Sequence, residues 1–206
     1  MLHRTKRVAA LASYPSTLII ASGLKTDIMN YCSDCGATVT VRIPEGDTVP
    51  RHVCSQCGTV HYQNPKMVVG CIPEWEDRIL LCRRAIEPRH GFWTLPAGFL
   101  ENGESAAAGA ARETMEEAEA TVEIGPMFSF YNLTHIHQIY VMFRGRLLTP
   151  EFGAGTESLE VRLFREDEIP WDLLAFRTVG ETLKRYFEDR ARGQFGFHMG
   201  DIPPMH

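Results

Sequence analysis

The sequence predicts an α/β protein in which a mixed sheet lies between helices and a small cysteine-bearing unit precedes the sheet. Strand-like segments recur between residues 66 and 164, and two segments with helical character separate or follow them. Two matched Cys-x2-Cys pairs before residue 58 predict the separate small unit. A chain of 206 residues suits one main domain with one such accessory unit.

The charge balance and the apolar pattern limit the partners of the chain. Its 26 acidic residues outnumber its 21 Lys and Arg residues, which gives a net charge of −5 at pH 7. Affinity for nucleic acid depends on neutralising phosphates with Lys and Arg, so this balance argues mildly against bulk binding to nucleic acid. No run of about 18 apolar residues occurs, so we expect no membrane span.

Residues 1–28 differ in composition from the rest of the chain. They contain basic and hydroxyl residues but no acidic residue before Asp27. This composition resembles an organelle transit sequence, although Pro15 and its neighbours interrupt the apolar run and weaken a secretory interpretation. The alternative, which we favour, is that Met29 is the natural start. In both cases we expect this segment to be poorly ordered.

Two cysteine pairs predict a zinc ribbon over residues 29–63. Each pair has the spacing Cys-x2-Cys and is followed by a glycine, which lets backbone amides approach the sulfurs. Four thiolates satisfy tetrahedral zinc, whereas two disulfides are the alternative and need an oxidising compartment. A strand, a turn and a second strand are expected between the pairs. The expected zinc ligands are Cys32, Cys35, Cys54 and Cys57.

The remaining elements follow from local patterns. Apolar alternation predicts strands, and Asn102 is expected to cap a helix that begins near Glu104 and ends near Glu119. An amphipathic helix is expected to close a domain that spans residues 64–193, with residues 194–206 as a tail. Cys71 and Cys82 lie in apolar strand patterns and are expected to be buried structural thiols. The predicted strands are 66–75, 77–85, 92–96, 121–133, 137–148 and 159–164, and the closing helix is 178–193.

An acidic cluster on the first helix predicts a metal site. Glu113, Glu116 and Glu117 are spaced i, i+3 and i+4, so they share one helix face and repel one another. Their position near the helix C-terminus adds an unfavourable interaction with the helix dipole. A solvated acidic face is the ordinary interpretation of such a run. However, the helix is otherwise rich in alanine and follows a glycine-rich loop, so we favour a site for Mg²⁺ or Mn²⁺.

The same stretch resembles the Nudix box, G-x5-E-x7-R-E-U-x-E-E-x-G-U, where U is an aliphatic residue. The departures are Glu119 at the late glycine, and Thr114 and Ala120 at aliphatic positions. They affect helix termination and packing, not the carboxylates. The ribbon and the segments that flank the box resemble zinc-ribbon Nudix hydrolases related to FAD and ADP-ribose pyrophosphatases, with an α/β/α sandwich fold. The matching residues of the box are Gly98, Glu104, Arg112, Glu113, Glu116 and Glu117.

The resemblance implies roles for the residues of the box. Glu113 and Glu117 would be metal ligands, Glu116 would be a further ligand or would orient water, and the carbonyl of Ala97 or Gly98 would complete the shell. The cation would neutralise the diphosphate and lower the pKa of a water that attacks phosphorus. Arg112 would hold Glu104 and position the loop against the helix.

Residues outside the box are expected to bind the substrate or to act as general base. Family members often take the base from a distant loop, where Glu157 and Glu160 are the candidates, and Glu160 is our choice. Of Arg83 and Arg84, at most one can reach phosphate directly, because neighbouring strand residues point to opposite faces. Among the aromatic residues near the box, Trp93 and Tyr131 are the chosen partners for stacking on adenine or flavin.

The expected activity is hydrolysis of the diphosphate in FAD, to FMN and AMP, or in ADP-ribose. NADH is only the alternative substrate, because residues 126–140 lack the aromatic and proline array of the related NADH pyrophosphatases. A non-catalytic sensor or binding module is a second alternative, which the retained glutamates disfavour. We further expect a small dinucleotide-type substrate, no nucleic-acid partner, a homodimer and a cytoplasmic location.

Overall fold

The computed structural model describes residues 29–204, so the expectations for residues 1–28 lie outside the described part. The chain divides into two compact units between Val60 and His61. Among the described residues, no helix has the length and apolar character needed to cross a membrane.

The first unit is a small sheet with very little core. Strands β1 (Val39–Arg42) and β2 (Arg51–Cys54) pair antiparallel, and the short β3 (Val60–His61) completes a three-stranded sheet. The glycines after the cysteine pairs, Gly36 and Gly58, adopt left-handed φ values of 73° and 76°. A glycine takes this conformation without the steric cost that a side chain would bring, which explains its place in each cysteine loop.

The second unit contains an eight-stranded mixed sheet, which confirms the predicted α/β class. The main strands follow the order β10-β5-β4-β9-β8-β11, with β6 beside β5 and β7 beside β4. Pairs β4–β9 and β8–β11 are parallel, and the other assigned pairs are antiparallel. The strands are β4 (Lys66–Trp75), β5 (Arg78–Arg84), β6 (Trp93–Thr94), β7 (Ala97–Phe99), β8 (Val122–Leu133), β9 (Gln138–Leu147), β10 (Ser158–Phe164) and β11 (His198–Asp201).

Two helices cover opposite faces of the sheet, α1 (Ala106–Ala118) and α2 (Arg177–Arg192). Successive residues of β4 alternate between them, as expected for a strand that is buried on both faces. Val69 and Cys71 belong to the core beneath α1, whereas Ile72 belongs to the core beneath α2. Cys71 and Cys82 are buried free thiols, as predicted.

The first helix has a different N-cap from the predicted one, whereas it ends near Glu119 as expected. Ser105, not Asn102, is the N-cap, and its hydroxyl accepts a hydrogen bond of 3.1 Å from the amide of Ala108. The reason is local, since a cap must lie directly before the first helical residue. At the other end, Glu119 adopts the left-handed conformation (φ 48°, ψ 30°), and its amide donates to the carbonyl of Met115. Glutamate therefore occupies a conformation that glycine prefers.

The C-terminal segment is not the simple tail that the sequence predicted. After Gly193 the chain returns to the sheet, where β11 pairs parallel with β8 and places His198 opposite Ser129. Asp189 on α2 accepts a hydrogen bond of 2.8 Å from the amide of Gly196 and lies 2.7 Å from Nε2 of His198. The four-residue strand therefore belongs to the sheet of the second unit. Three short 3-10 helices complete the unit, at Thr134–Ile136, Glu166–Glu168 and Trp171–Leu173.

Candidate active site

Two buried carboxylates on α1 face the backbone of β7. Glu113 and Glu117 are one helical turn apart and are only 9% and 6% exposed. The amide of Ala97 donates to Oε2 of Glu117 at 3.3 Å. A Cβ atom on Gly98 would overlap the carboxylate of Glu113, so any other residue here would displace this carboxylate from its position. The glycine that opens the sequence motif thus determines how closely strand and helix carboxylates meet.

Arg112 ties the loop before α1 to the helix itself. Its Nη1 donates to Oε1 of Glu113 at 2.8 Å and to Oε2 of Glu116 at 3.0 Å. Its Nε and Nη2 donate to the two carboxylate oxygens of Glu104 at 3.1 and 2.8 Å. Nη2 also donates to the carbonyl of Phe99 at 3.2 Å. One guanidinium therefore positions two of the three clustered glutamates and the strand that approaches them.

Burial raises the pKa values of the two inner carboxylates, and a cation would relieve their repulsion. Loss of solvation and, to a lesser extent, the negative charge of Glu113 together raise the pKa of Glu117 to about 8. Burial also raises the pKa of Glu113, although Arg112 opposes this shift. Hard divalent cations bind carboxylate oxygens, and their charge would offset the repulsion between these groups. The donor set therefore fits Mg²⁺ or Mn²⁺.

A loop between β9 and β10 packs on the last turn of α1. The amides of Gly153 and Gly155 donate to the carbonyls of Ala118 and Glu117 at 2.9 and 3.2 Å. A Cβ atom on Gly155 would overlap the carbonyl of Glu116, so this close packing again requires glycine. The loop satisfies free carbonyls at the helix end and carries Glu157 to the cavity beside the cluster.

The clustered glutamates line a cavity of about 900 Å³ in the second unit. This volume suits a nucleotide-sized ligand. The cavity combines acidic groups at one place with aromatic and aliphatic side chains elsewhere. Its lining includes Arg84, Phe92, Gly98, Arg112, Glu113, Glu116, Glu117, Tyr140, Glu157, Phe176, Thr178 and Ile202.

Two residues expected to stack on the substrate lie in the core instead. Trp93 is 8% exposed and packs edge-to-face on Phe164, with ring centroids 4.9 Å apart. Tyr131 is buried with Leu133 and Ile202. Neither ring lines the cavity. Their position does not support the predicted stacking on the substrate, because strand aromatics are often buried in the core.

The structure also separates the predicted pairs of charged residues. Arg84 lines the cavity, and its guanidinium lies 5.2 Å from the ring centroid of Phe176. Arg83 and Glu160 lie outside the cavity, where their side chains approach to 3.7 Å on the surface. The choice of Glu160 as base is therefore not supported by its position. Glu160 lies within β10 opposite Arg83, whereas Glu157 precedes the strand.

Several cavity residues were missed by the sequence analysis. Tyr140 follows the same alternation as the buried Met142, so its direction could have been read from the strand pattern. Phe176 and Thr178 flank the start of α2, where no motif marks them. Ile202 lies in the segment that was treated as a tail.

The four predicted zinc ligands form one cluster in the first unit. The sulfur atoms of Cys32, Cys35, Cys54 and Cys57 all lie within 4.8 Å of one another, and three of the separations are 3.5 to 3.7 Å. A tetrahedral zinc ion with Zn–S bonds of about 2.3 Å requires sulfur atoms roughly 3.8 Å apart. All four cysteines are free thiols, so the disulfide alternative is not formed. The cluster fits the predicted metal.

Comparison with known families supports both units. Residues 30–63 match a family model described as Nudix N-terminal, and residues 64–186 match one described as NUDIX domain. A solved structure, the NUDIX hydrolase from Nitrosomonas europaea, is 58% identical, with a TM-score of 0.83. The match covers 85% of this chain and 100% of that structure's chain.

The curated relatives are more distant, and they include proteins with two different named activities. An ADP-ribose pyrophosphatase from Methanocaldococcus jannaschii is 28% identical over 113 residues, covering 53% of this chain and 67% of that protein. The NAD-capped RNA hydrolase NudC of Salmonella heidelberg is 31% identical over 146 residues, covering 66% of this chain and 52% of that protein. The chain thus spans about half the length of this NudC relative.

Proposed function

Because the chain belongs to the Nudix hydrolase family, we propose that it hydrolyses the diphosphate linkage of nucleoside diphosphate derivatives. The observation that carries this proposal is the pair of buried carboxylates, Glu113 and Glu117, packed against the backbone of Gly98 in the wall of a cavity of about 900 Å³. Such a cluster has little stabilising value by itself, since like charges repel one another in a poorly solvated place.

Glu113 and Glu117 would hold a magnesium or manganese ion, with Glu116 beside them. A divalent cation at this place supplies charge neutralisation for the diphosphate and activation of a water molecule. Arg112 keeps the carboxylates in place through its hydrogen bonds to Glu113 and Glu116. Arg84, on the cavity wall, is placed to contribute positive charge toward the phosphates.

Glu157 is our candidate for the general base. It lines the same cavity as Glu113 and Glu117, and its loop is anchored to the end of α1 through Gly153 and Gly155. A carboxylate on an anchored loop can accept a proton from water without competing for the position of the metal ligands. Glu160, three residues later, is the matched control because it lies outside the cavity.

ADP-ribose and FAD are the proposed substrates. Similarity to the ADP-ribose pyrophosphatase of Methanocaldococcus jannaschii supports the first, and the resemblance of the sequence to FAD pyrophosphatases supports the second. NADH is kept as a second candidate because several relatives are named NAD-capped RNA hydrolase. Because these relatives are named as RNA hydrolases, the expected absence of a nucleic-acid partner stays a prediction. A structural zinc ion in the ribbon, a homodimer and a cytoplasmic location are further proposals from the sequence.

Steady-state kinetics on ADP-ribose, FAD and NADH, with and without Mg²⁺ or Mn²⁺, test the proposal. We expect metal-dependent release of AMP from ADP-ribose or FAD, with a kcat/KM at least about tenfold above that for NADH. Glu117→Gln should lower turnover by orders of magnitude, and Glu157→Gln should lower it far more than Glu160→Gln. Full activity of Glu117→Gln would contradict the metal site, and preference for NADH would favour the second candidate.

A further inference from the structure

The C-terminal segment supplies a wall of the cavity. The amide of Ile202 donates to the carbonyl of Asn132 at 2.9 Å, and Nη1 of Arg177 donates to the carbonyl of Pro203 at 2.7 Å. The side chain of Asn132 also donates to Asp201 at 3.0 Å. These bonds fix Ile202 and Pro203, both of which line the cavity. Their segment lies beyond residue 186, where the match to the family domain ends.

A buried hydroxyl next to this wall has no partner. Thr178, in the first turn of α2, is 2% exposed and lines the cavity. Its Oγ1 makes no hydrogen bond within the described residues. A void of about 20 Å³ adjoins Thr178, Tyr140 and Phe176, which is large enough for one water-sized group. A buried hydroxyl without a partner costs stability, so its hydrogen bond is available to a ligand.

Ile202 and Pro203 lie across the sheet from the strand that approaches the clustered glutamates. Thr178 lies closer to the glutamates, because it lines the same void as Ala97, whose amide donates to Glu117. Strand β7, which carries Gly98, is separated from β11 by β4, β9 and β8. Four strand spacings of about 4.8 Å correspond to roughly 19 Å across the sheet. A diphosphate bound at the glutamates is too short to cover this span, so it does not reach Ile202 and Pro203. Only a group attached through a sugar or another linker can reach them.

We propose that the C-terminal segment and the first turn of α2 bind the heterocyclic base at the end of the substrate remote from the cleaved bond. This inference rests on the proposed function. Ile202 and Pro203 provide an apolar wall, and the hydroxyl of Thr178 supplies one hydrogen bond, directly or through water. A neutral aromatic ring suits this combination, because it buries apolar area and still has polar edge atoms. Arg177, the nearby cation, is already engaged with the carbonyl of Pro203.

Two pairs of variants in the full-length protein test the proposal with ADP-ribose as substrate. Thr178→Val removes the hydroxyl at nearly constant volume, whereas Thr178→Ser retains it. Ile202→Trp fills the proposed base compartment, which is the space between Thr178 and the wall of Ile202 and Pro203. Met199→Trp adds the same bulk on the same segment, at a position that is 70% exposed. We expect Thr178→Val and Ile202→Trp to raise KM about tenfold with kcat nearly unchanged, and the two controls to behave like the wild type.

Binding of AMP, measured by equilibrium dialysis beside ribose 5-phosphate, separates this inference from the catalytic proposal. We expect Thr178→Val to weaken AMP binding but not ribose 5-phosphate binding, even if the wild type cleaves none of the tested substrates. Equal weakening of both ligands would show recognition of phosphate or sugar and would overturn the base compartment. Unchanged AMP binding and unchanged KM in Thr178→Val would overturn it as well. Thermal melts identify any variant that fails to fold. If Ile202→Trp fails to fold, the comparison of Thr178→Val with Thr178→Ser decides the question by itself.

Discussion

Because Gly98 has no side chain, the carboxylate of Glu113 can occupy the space beside it. This close approach predicts the effect of adding one methyl group at position 98. In Gly98→Ala the new Cβ would overlap the Glu113 carboxylate, so either the strand or the carboxylate must move. We expect turnover to fall at least about 100-fold, because a misplaced catalytic group of this kind costs that much. Kinetics on ADP-ribose with Mg²⁺ measure the loss.

Gly180→Ala is the control for this substitution. Gly180 lies on α2, and a Cβ atom there would meet only Leu174 at an ordinary distance of 3.8 Å. We expect this variant to keep full activity and to gain roughly 0.5–1 kcal/mol of stability, since alanine is the better helix former. Equal activity in both variants would show that the close approach of Gly98 to Glu113 has no catalytic importance.

The raised pKa of Glu117 predicts how the metal-free protein responds to pH. Burial raises this pKa from its ordinary value of 4.5 to about 8, so the folded state favours the protonated carboxyl. Its contribution to stability is therefore present below pH 4.5 and is lost as the pH rises toward about 8. We expect the free energy of unfolding of metal-free protein to decrease across this window, and Mg²⁺ to restore it at pH 8.

Glu117→Gln, which cannot ionise, separates this group from the other titrating residues. Its metal-free stability should change less between pH 5 and pH 8 than that of the wild type, and Mg²⁺ should stabilise it less. Urea unfolding at several pH values, with and without Mg²⁺, provides the measurement. Identical pH profiles of the two proteins would contradict the burial argument.

At the scale of the element, the end of α1 carries backbone strain at Glu119. The Nudix box has glycine at this position, which suggests a substitution that relieves the strain. Glu119 adopts φ 48° and ψ 30°, which costs a residue with a Cβ atom more than it costs glycine. Glu119→Gly should therefore stabilise the protein by up to about 1 kcal/mol without loss of activity. Thermal unfolding measures the change, with Glu119→Ala as the control for loss of the side chain. A destabilised glycine variant would show that the carboxylate of Glu119 contributes more than the strain costs.

The elements themselves could be predicted where the pattern is local. The strand expected at residues 66–75 is observed as Lys66–Trp75, because a doubly buried strand has a continuous apolar run. Strand β11 could not be predicted in the same way. It has four residues, and its pairing with β8 depends on residues far apart in sequence, so no local signal marks it.

The site shows the same division between local and long-range information. The positions of Glu113 and Glu117 follow from helical spacing, which the sequence states directly. The choice between Glu157 and Glu160 depends on how the loop before β10 packs on the end of α1, which the sequence does not reveal. The burial of Trp93 depends on its contact with Phe164, which lies 71 residues later in a different strand. Contacts of this kind belong to the folded chain and not to any motif.

At the scale of the whole molecule, the two units have very different means of stabilisation. The second unit has several buried clusters, whereas the buried apolar residues of the first unit are Cys32, Val53 and Cys54 among those described. A unit with so small a core needs another source of stability, which a metal ion in the cysteine cluster would provide. We therefore expect about one zinc ion per chain in freshly purified protein.

Metal analysis and hydrogen exchange test this expectation together. A strong chelator should remove the zinc and abolish protection of the amides in residues 29–60, while the sheet of the second unit keeps its protection. Cys57→Ser should have the same local effect without chelator. Freshly purified protein without zinc, in which residues 29–60 remain protected, would refute the metal-dependent ribbon.

Strand β10 ends the sheet on the side away from β11, and among residues 29–204 no other strand pairs with its outer edge. Such an edge can pair with another chain and begin aggregation. Glu160 and Arg162 stand on this strand with side chains about half exposed, and Glu168 lies 3.5 Å from Arg162. A second chain that docked there would have to strip water from these charges. We therefore expect Glu160, although remote from the chemistry, to oppose edge-to-edge pairing between copies of the chain.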